Sequence, residues 1–177
     1  KYGKTKVYEQ IRKTFEKFVA FLDTNGYGII FIPQLYRSGN DSDLMSEFST
    51  GRNGFVMEAN SDIYDTYFQQ YVIGKLYAVV GMRYHSNIFS AKMGTPFVSI
   101  SYEQKMKGFM EKMGLSQYCI PVESLTESEL KSKFNDMISA YEEYKNLLEN
   151  KHEEMLKQAY SSTEAVLKIL EENDRRS

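Results

Sequence analysis

Three side chains that can carry a positive charge follow two short apolar runs in the middle of the chain. Arg83 and His85 come soon after the run at 76–80, and Lys105 follows the run at 97–100. A guanidinium holds a carboxylate or a phosphate through two parallel hydrogen bonds, and histidine exchanges protons near neutral pH. These residue types indicate a site for a small anion that carries a phosphate or a carboxylate, provided that the fold brings them together.

The elements around these residues predict that they do meet. The segment 84–93 has helical spacing of its apolar side chains, and glycine-containing turns separate it from the apolar runs on both sides. A strand, a helix and a second strand in this order form a parallel unit, and ligands bind beyond the carboxyl ends of such strands. The three cations are therefore expected at one edge of the sheet, beside two helix N-termini that favour anions. Ser101 and Tyr102 would add two hydroxyl groups there.

The rest of the chain continues the alternation of helices and strands. Strands are predicted over residues 28–33, 55–58, 76–80, 97–100 and 118–122. Helices are predicted over residues 6–23, 43–48, 63–71, 84–93, 105–113, 126–148 and 155–170. The uninterrupted apolar run at 28–33 indicates a strand buried on both faces. We predict one α/β domain over residues 1–177, with a doubly wound, mostly parallel, Rossmann-like sheet of about five strands flanked by helices.

Helix boundaries are marked by polar residues that can cap a helix. Ser61 or Asp62 is predicted to cap the helix over 63–71, and Thr126 opens a capping box before the long C-terminal helices. The pair at 150–151 is expected to break or bend that helical region.

Composition and charge exclude several classes of function. The chain has 177 residues, 42% of them hydrophobic, which is enough for one domain with a substantial core. Its formal net charge of −2 gives no overall attraction to nucleic acid or to an acidic membrane surface. The single Cys119 cannot form an internal disulfide, and we expect it to be buried at the end of a strand. No apolar run approaches the ~18 residues that a membrane span needs.

The sequence contains no recognisable metal or nucleotide motif. It has no glycine-rich phosphate loop, no nucleophile elbow and no cluster of acidic residues with metal-ligand spacing. The two histidines, His85 and His152, are far apart in sequence, and we expect His152 on an exposed, charged helix face. We therefore predict neither a metal ion nor a cofactor.

A family resemblance is carried by the residues at 81–115, whose sequence is GMRYHSNIFSAKMGTPFVSISYEQKMKGFMEKMGL. This segment resembles the signature of the polysaccharide pyruvyl transferases. The shared features are R-x-H after a hydrophobic strand, a helix of small residues, G-x-P, an apolar strand ending in S-Y, and a lysine before G-F. The resemblance is close over 73–115, looser over 28–62, and fades after Cys119.

The resemblance implies the C-terminal, donor-side half of a two-domain enzyme similar to GT-B glycosyltransferases, without its N-terminal half. Because the chain begins with Lys1, we expect a fragment or a processed chain that turns nothing over alone. The implied reaction moves the enolpyruvyl group of phosphoenolpyruvate onto a sugar of a cell-surface polysaccharide, as a pyruvate ketal. The implied acceptor is a glycan or a lipid-linked saccharide, and the implied location is the cytoplasm, including the inner face of the membrane.

The resemblance also implies roles for individual residues. Arg83, His85 and Lys105 would bind the charged groups of phosphoenolpyruvate, with Ser101 and Tyr102 beside them. His85 would also be the general acid, because histidine is the side chain whose ordinary pKa lies closest to neutral.

Several residue assignments stay open at the level of sequence. Glu103, Glu58 and Asp62 could each exchange a proton at the edge of the sheet, but each also suits the first turn of a helix. Gln34 could reach the same edge or simply pack. Without the resemblance, Arg83 would suit an ordinary salt bridge as well as a ligand.

Two other functions fit the same fold class. A glycosyltransferase that uses a sugar nucleotide would need a carboxylate for the ribose, and Glu103 could serve. A non-catalytic interaction domain could present aromatic residues of one helix, namely Tyr64, Tyr67, Phe68 and Tyr71, although these also suit helix-to-sheet packing. The C-terminal helices could cross to the missing half, or join two copies as a homodimer if their apolar stripe is exposed.

Overall fold

The fold is described here by a computed structural model, which covers residues 6–35, 41–57 and 65–174. The strands are β1 (Ile29–Phe31), β2 (Gly54–Val56), β3 (Val79–Gly81), β4 (Phe97–Ser101) and β5 (Cys119–Pro121). The helices are α1 (Lys6–Thr24), α2 (Asp41–Ser49), α3 (Thr66–Ile73), α4 (Tyr84–Lys92), α5 (Gln104–Lys112), α6 (Glu127–Ser139) and α7 (Tyr141–Asp174). Helices and strands alternate as far as β5, as the sequence predicts.

The strands form two small parallel sheets. Strand β1 pairs with β2, while β3, β4 and β5 lie in that order in the other sheet. The α/β class, the parallel strands and the five predicted strand positions are confirmed. The arrangement differs from the predicted sheet of about five strands, because within the described ranges β1 and β2 do not join the other three.

The two sheets differ in how well they are buried. Ile30 of β1 is 40% exposed and Phe55 of β2 is 60% exposed, so the predicted burial of 28–33 on both faces is wrong. Every residue of β4 is buried, because β3 and β5 flank it and helices cover it. The sheet that contains β4 is therefore the better-packed support for the residues that follow its strands.

The hydrophobic core gathers around β4. Helices α5 and α6 pack against this strand, and α1 packs on α6. Met106 and Met110 of α5 are fully buried, as are Leu130 and Met137 of α6. Burying a side chain of this size stabilises a fold by roughly 1.5–3 kcal/mol. The end of β4 is consequently anchored by the most completely buried part of the described residues.

Helix α4 lies very close to the end of β3. Asn87 is fully buried, and its Nδ2 donates a hydrogen bond to Ser99 Oγ of β4 at 2.7 Å. Its Oδ1 is buried and has no hydrogen-bond partner. Gly81 permits this approach, because a Cβ at that position would overlap Asn87 Oδ1. The contact fixes where α4 begins, and so where Arg83 and the first turn of the helix lie.

The start of α3 is capped by a residue that the sequence analysis did not select. Asp65 is the N-cap, and its side chain accepts a hydrogen bond from Phe68 N at 2.8 Å. The predicted caps Ser61 and Asp62 lie outside the described residues, and the helix begins at Thr66.

The C-terminal helices divide at a different residue from the predicted one. Thr126 caps α6 by accepting a hydrogen bond from Glu129 N at 3.1 Å, as the capping box predicts. Of the two predicted outcomes at 150–151, a break is wrong, because α7 runs through these residues and Lys151 pairs with Glu154 inside the helix at 2.6 Å. The division falls at Ala140 instead.

The start of α7 is held on the sheet by two tyrosines. The Tyr141 hydroxyl donates to Tyr77 O at 2.9 Å, and the Tyr144 hydroxyl donates to Phe97 O at 2.6 Å. These anchors give a physical reason for a new helix to start directly after Ala140. None of the described helices has the length and apolar character needed to cross a membrane.

We expect Gly81→Ala to lower the free energy of unfolding by about 1–3 kcal/mol, because the added methyl group overpacks the contact with Asn87. Chemical denaturation of the wild type and the variant measures this difference. Gly108→Ala is the matched control, because Gly108 lies inside α5 and the added Cβ would meet nothing within 4 Å apart from its chain neighbours and the backbone of its own helix. That control should leave stability unchanged or raise it slightly. Equal stability of the Gly81 variant and the wild type would contradict the close approach.

We expect Tyr144→Phe to cost about 1–2 kcal/mol at pH 7, because the buried Phe97 carbonyl loses its hydrogen bond. Burial also raises the pKa of Tyr144 above its ordinary value of 10.0. The folded state therefore holds this proton more tightly than the unfolded state. Its contribution is fully present below about pH 10 and is lost as the pH rises further.

Urea denaturation between pH 7 and pH 11 tests this linkage. The wild type should lose stability more steeply than Tyr144→Phe above about pH 10, so the two curves should converge there. Tyr160→Phe, at a position that is 65% exposed, should follow the wild type throughout. Parallel curves for the wild type and the Tyr144 variant would rule out the linkage.

Candidate functional site

The carboxyl ends of β3 and β4 lie side by side. Gly81 pairs with Ser99, so the residues that follow these two positions leave the sheet next to each other. Arg83 is the N-cap of α4, while Ser101, Tyr102 and the start of α5 follow β4. The parallel pairing that the sequence predicts thus brings both groups of residues to one edge of the sheet.

Arg83 forms an ion pair with Asp41 at this edge. Arg83 Nη2 lies 2.6 Å from Asp41 Oδ1, and Nε lies 3.3 Å from Oδ2. The hydrogen bond to Asp41 raises the pKa of Arg83, and an interaction with the Tyr102 side chain raises it further. Arg83 and Tyr102 are therefore brought together, as expected, while the guanidinium already contacts a carboxylate that the sequence analysis did not select.

Asp41 follows β1 in a polar, turn-rich stretch, and β1 belongs to the other sheet. The rule that located Arg83 concerns neighbouring parallel strands of one sheet, so it gives no signal for Asp41. Its Oδ2 also accepts a hydrogen bond from the backbone N of Gln34 at 3.2 Å. The Gln34 side chain donates to Gln69 Oε1 of α3 at 2.8 Å. Gln34 thus contacts Asp41 at this edge through its backbone N–H, and not through its side chain.

Lys105 lies in the first turn of α5, where its ammonium forms an ion pair with the Glu103 carboxylate. The two groups are 3.0 Å apart and their side chains are 58% and 41% exposed. The hydrogen bond to Glu103 raises the pKa of Lys105. The ammonium also lies 5.1 Å from the centre of the Tyr84 ring, at the first residue of α4. An exposed pair of this kind is weak and easily rearranged in water.

His85 lies in the first turn of α4 and is exposed. Its ring is 6.1 Å from the Tyr84 ring and 6.0 Å from the Phe89 ring, measured between centroids. It therefore lies beside the same tyrosine that Lys105 approaches. Its proposed action on the same group as Arg83 stays a prediction.

Ser101 has a local structural contact. It is 7% exposed, and its hydroxyl donates to the Glu103 carbonyl at 3.1 Å, which shapes the turn into α5. Burial raises the pKa of Cys119, whose thiol also contacts Ser101. Cys119 is the first residue of β5 and is half-buried. The expectation that it lies at one end of a strand is therefore correct, whereas the expected burial is only partial. The candidate carboxylates Glu58 and Asp62 lie outside the described residues.

A cavity of about 500 Å³ lies at the opposite edge of the sheet. Its lining includes Leu76 and Thr95, which precede β3 and β4, and Lys145 and His152 of α7. His152 is half-buried there, so its predicted exposure is wrong. The cavity is therefore separate from the edge that carries Arg83. Across the described ranges, no three histidine, cysteine or carboxylate side chains are grouped so that they could hold a metal ion.

The edge formed by the carboxyl ends of β3 and β4 combines several groups that attract anions. Arg83 supplies a fixed guanidinium, Lys105 an exposed ammonium, and the nine-residue helices α4 and α5 begin beside them. Each of the two cations also has a carboxylate neighbour, so the edge carries ion pairs and not bare positive charges. An anion bound at this edge would have to share the two cations with these carboxylates or displace the carboxylates.

Comparison with protein families matches residues 4–104 to the family described as polysaccharide pyruvyl transferase, which is more than half of the chain. The match includes Arg83, His85 and Tyr102 and ends just before Lys105. The amylovoran biosynthesis protein AmsJ of Erwinia amylovora is 41% identical over 64 residues. That match covers 36% of this chain but only 15% of AmsJ, so the chain spans a small part of its relative. No solved structure matches significantly.

Proposed function

We propose, because the chain belongs to the polysaccharide pyruvyl transferase family, that its carboxyl edge binds phosphoenolpyruvate as the donor of a pyruvyl group. The acceptor would be a sugar of an exopolysaccharide, carried as a glycan or a lipid-linked saccharide. The observation that carries the proposal is the position of Arg83, which lies within the family match and is held at the end of β3 beside Tyr102.

The charge of phosphoenolpyruvate suits this edge. It is a three-carbon carboxylate that also carries a phosphate, and its anionic groups match a guanidinium, an ammonium and two helix N-termini. Arg83 would bind one anionic group through paired hydrogen bonds. Lys105 is exposed and could move from Glu103 to the other group, since a surface ion pair is held by little energy.

The proposed reaction joins C2 of phosphoenolpyruvate to two sugar hydroxyls. A proton adds to the methylene carbon, and the first hydroxyl oxygen bonds to C2 and gives up its proton, which replaces the one that was delivered. The bond between C2 and the phosphate oxygen then breaks, the second hydroxyl oxygen bonds to C2 to close the ketal, and its proton leaves with the phosphate. His85 would deliver the proton, because it is exposed in the first turn of α4, two residues after Arg83. Arg83 and Lys105 would stabilise the charge that develops on the departing phosphate, where fixed positive groups contribute most.

The architecture of the whole enzyme is also a proposal. The chain would form the donor-side half of a GT-B-like enzyme in the cytoplasm, and a second domain would bind the acceptor and close over the donor. The amylovoran relative supports a role in exopolysaccharide synthesis, although the match covers only 15% of its length. On this account the chain alone binds the donor weakly and turns nothing over.

We expect Arg83→Ala to weaken the binding of phosphoenolpyruvate at least tenfold, because charge-assisted paired hydrogen bonds to the anion are lost. Isothermal titration calorimetry of the wild type and the variant measures this. Arg12→Ala is the matched control, because Arg12 is similarly exposed and also pairs with a carboxylate of α2, Glu47, at 2.9 Å. It should bind phosphoenolpyruvate like the wild type.

Titration with UDP and GDP tests the competing function of a sugar-nucleotide transferase. Phosphoenolpyruvate should bind more tightly than either nucleotide. Tighter binding of a nucleotide would favour the glycosyltransferase, with Glu103 as the ribose-binding carboxylate. Equal heats from the wild type and the Arg83 variant would remove Arg83 from the donor site.

A further inference from the structure

We propose that Asp41 is the positioning residue that orients Arg83 toward the anionic group of its ligand. This inference rests on the proposed function, since it concerns how the same edge holds its anion. Asp41 lies 42 residues before Arg83, at the first position of α2. Helix α2 connects β1 to β2, the two strands of the other sheet. The pair therefore joins a segment that follows β1 to the residue that follows β3.

The geometry of the pair leaves part of the guanidinium for a ligand. Asp41 accepts from Nε at 3.3 Å and from Nη2 at 2.6 Å, which are the two nitrogens on one side of the planar group. The end of the group, formed by Nη1 and the second Nη2 hydrogen, is a separate pair of donors. The Arg83 side chain is 36% exposed, so a ligand can approach it from the edge of the sheet, where the Tyr102 side chain also interacts with the guanidinium.

Asp41 is anchored more firmly than a carboxylate that a ligand simply displaces. Its side chain is only 16% exposed. Its Oδ2 also accepts the backbone N–H of Gln34 at 3.2 Å, and its own backbone N donates to Leu35 O at 3.3 Å. Displacement would leave a largely buried carboxylate without its cation, which is costly. The ligand is therefore expected to add to the Arg83–Asp41 pair and not to replace Asp41.

A double-mutant cycle measured in ligand binding distinguishes three roles of Asp41: orienting Arg83, competing with the ligand for Arg83, and only stabilising the fold. Phosphoenolpyruvate and inorganic phosphate are each titrated by calorimetry into five proteins: the wild type, Asp41→Asn, Asp41→Ala, Arg83→Ala, and the Asp41→Ala, Arg83→Ala double variant. Asp41→Ala should weaken the binding of both probes about tenfold, because a misdirected guanidinium loses part of its contact with the anion. Asp41→Asn should weaken it less, since it keeps the size and one acceptor oxygen. In the Arg83→Ala background the loss from Asp41→Ala should vanish.

Two controls show whether a loss of binding comes from the loss of any ion pair of α2 or from unfolding. Glu47→Ala removes the other ion pair of α2, with Arg12, and should leave binding of both probes unchanged. Thermal denaturation of every variant shows which of them are folded, and Asp41→Asn supplies the comparison if Asp41→Ala unfolds. A loss of the same size with and without Arg83 would show a structural role and would overturn the proposal.

The remaining outcomes also distinguish the positioning role of Asp41 from the proposed donor. Unchanged or tighter binding by the Asp41 variants would overturn the proposal, and tighter binding would identify Asp41 as a competing anion. If phosphate binds through both Arg83 and Asp41 while phosphoenolpyruvate does not bind, the positioning role stands and the proposed donor falls. If neither probe binds through Arg83, both the positioning role and the donor site are overturned.

Discussion

A buried hydrogen bond from Asn87 to Ser99 determines how helix α4 is placed on the sheet. It is made where Gly81 allows the helix to approach β3 without a side chain between them. The arrangement has a cost, because Asn87 Oδ1 is left buried without a partner and such a group costs about 1–3 kcal/mol. The unpaired oxygen therefore lies in the first turns of α4, where the contact with the sheet determines the position of the helix start and of Arg83, its N-cap.

The electrostatics of the edge follow from differences in burial. Arg83 and Asp41 are partly withdrawn from water, so their attraction is less screened than that of Lys105 and Glu103 on the surface. The first pair is therefore part of the framework that connects the segments after β1 and β3. The second pair is exposed and can rearrange more easily. One edge thus combines a partly buried, anchored cation with an exposed one.

The sequence predicts the local elements well and the long-range contacts less well. Strand positions follow from short apolar runs, and the cap at Thr126 follows from a local pattern of two residues. The Arg83–Asp41 pair was missed because it joins distant segments, and no local pattern distinguishes Asp41 from other turn carboxylates. The division at Ala140 was missed for a similar reason, since Tyr141 and Tyr144 anchor α7 through contacts with distant carbonyl groups. The separation into two sheets depends on how strands far apart in the chain approach each other, which a hydrophobic pattern does not encode.

Helix α7 has 34 residues, which corresponds to a rod about 50 Å long. Its first turns are fixed by Tyr144 and Leu148 in the core, whereas Leu156, Leu167 and Leu170 are more than 40% exposed. A helical segment without tertiary packing depends on its own weak helix–coil equilibrium. The backbone amides should therefore exchange with deuterium slowly near the anchored end and progressively faster toward Asp174. One continuous helix would then contain two regimes of motion, without any hinge in its sequence.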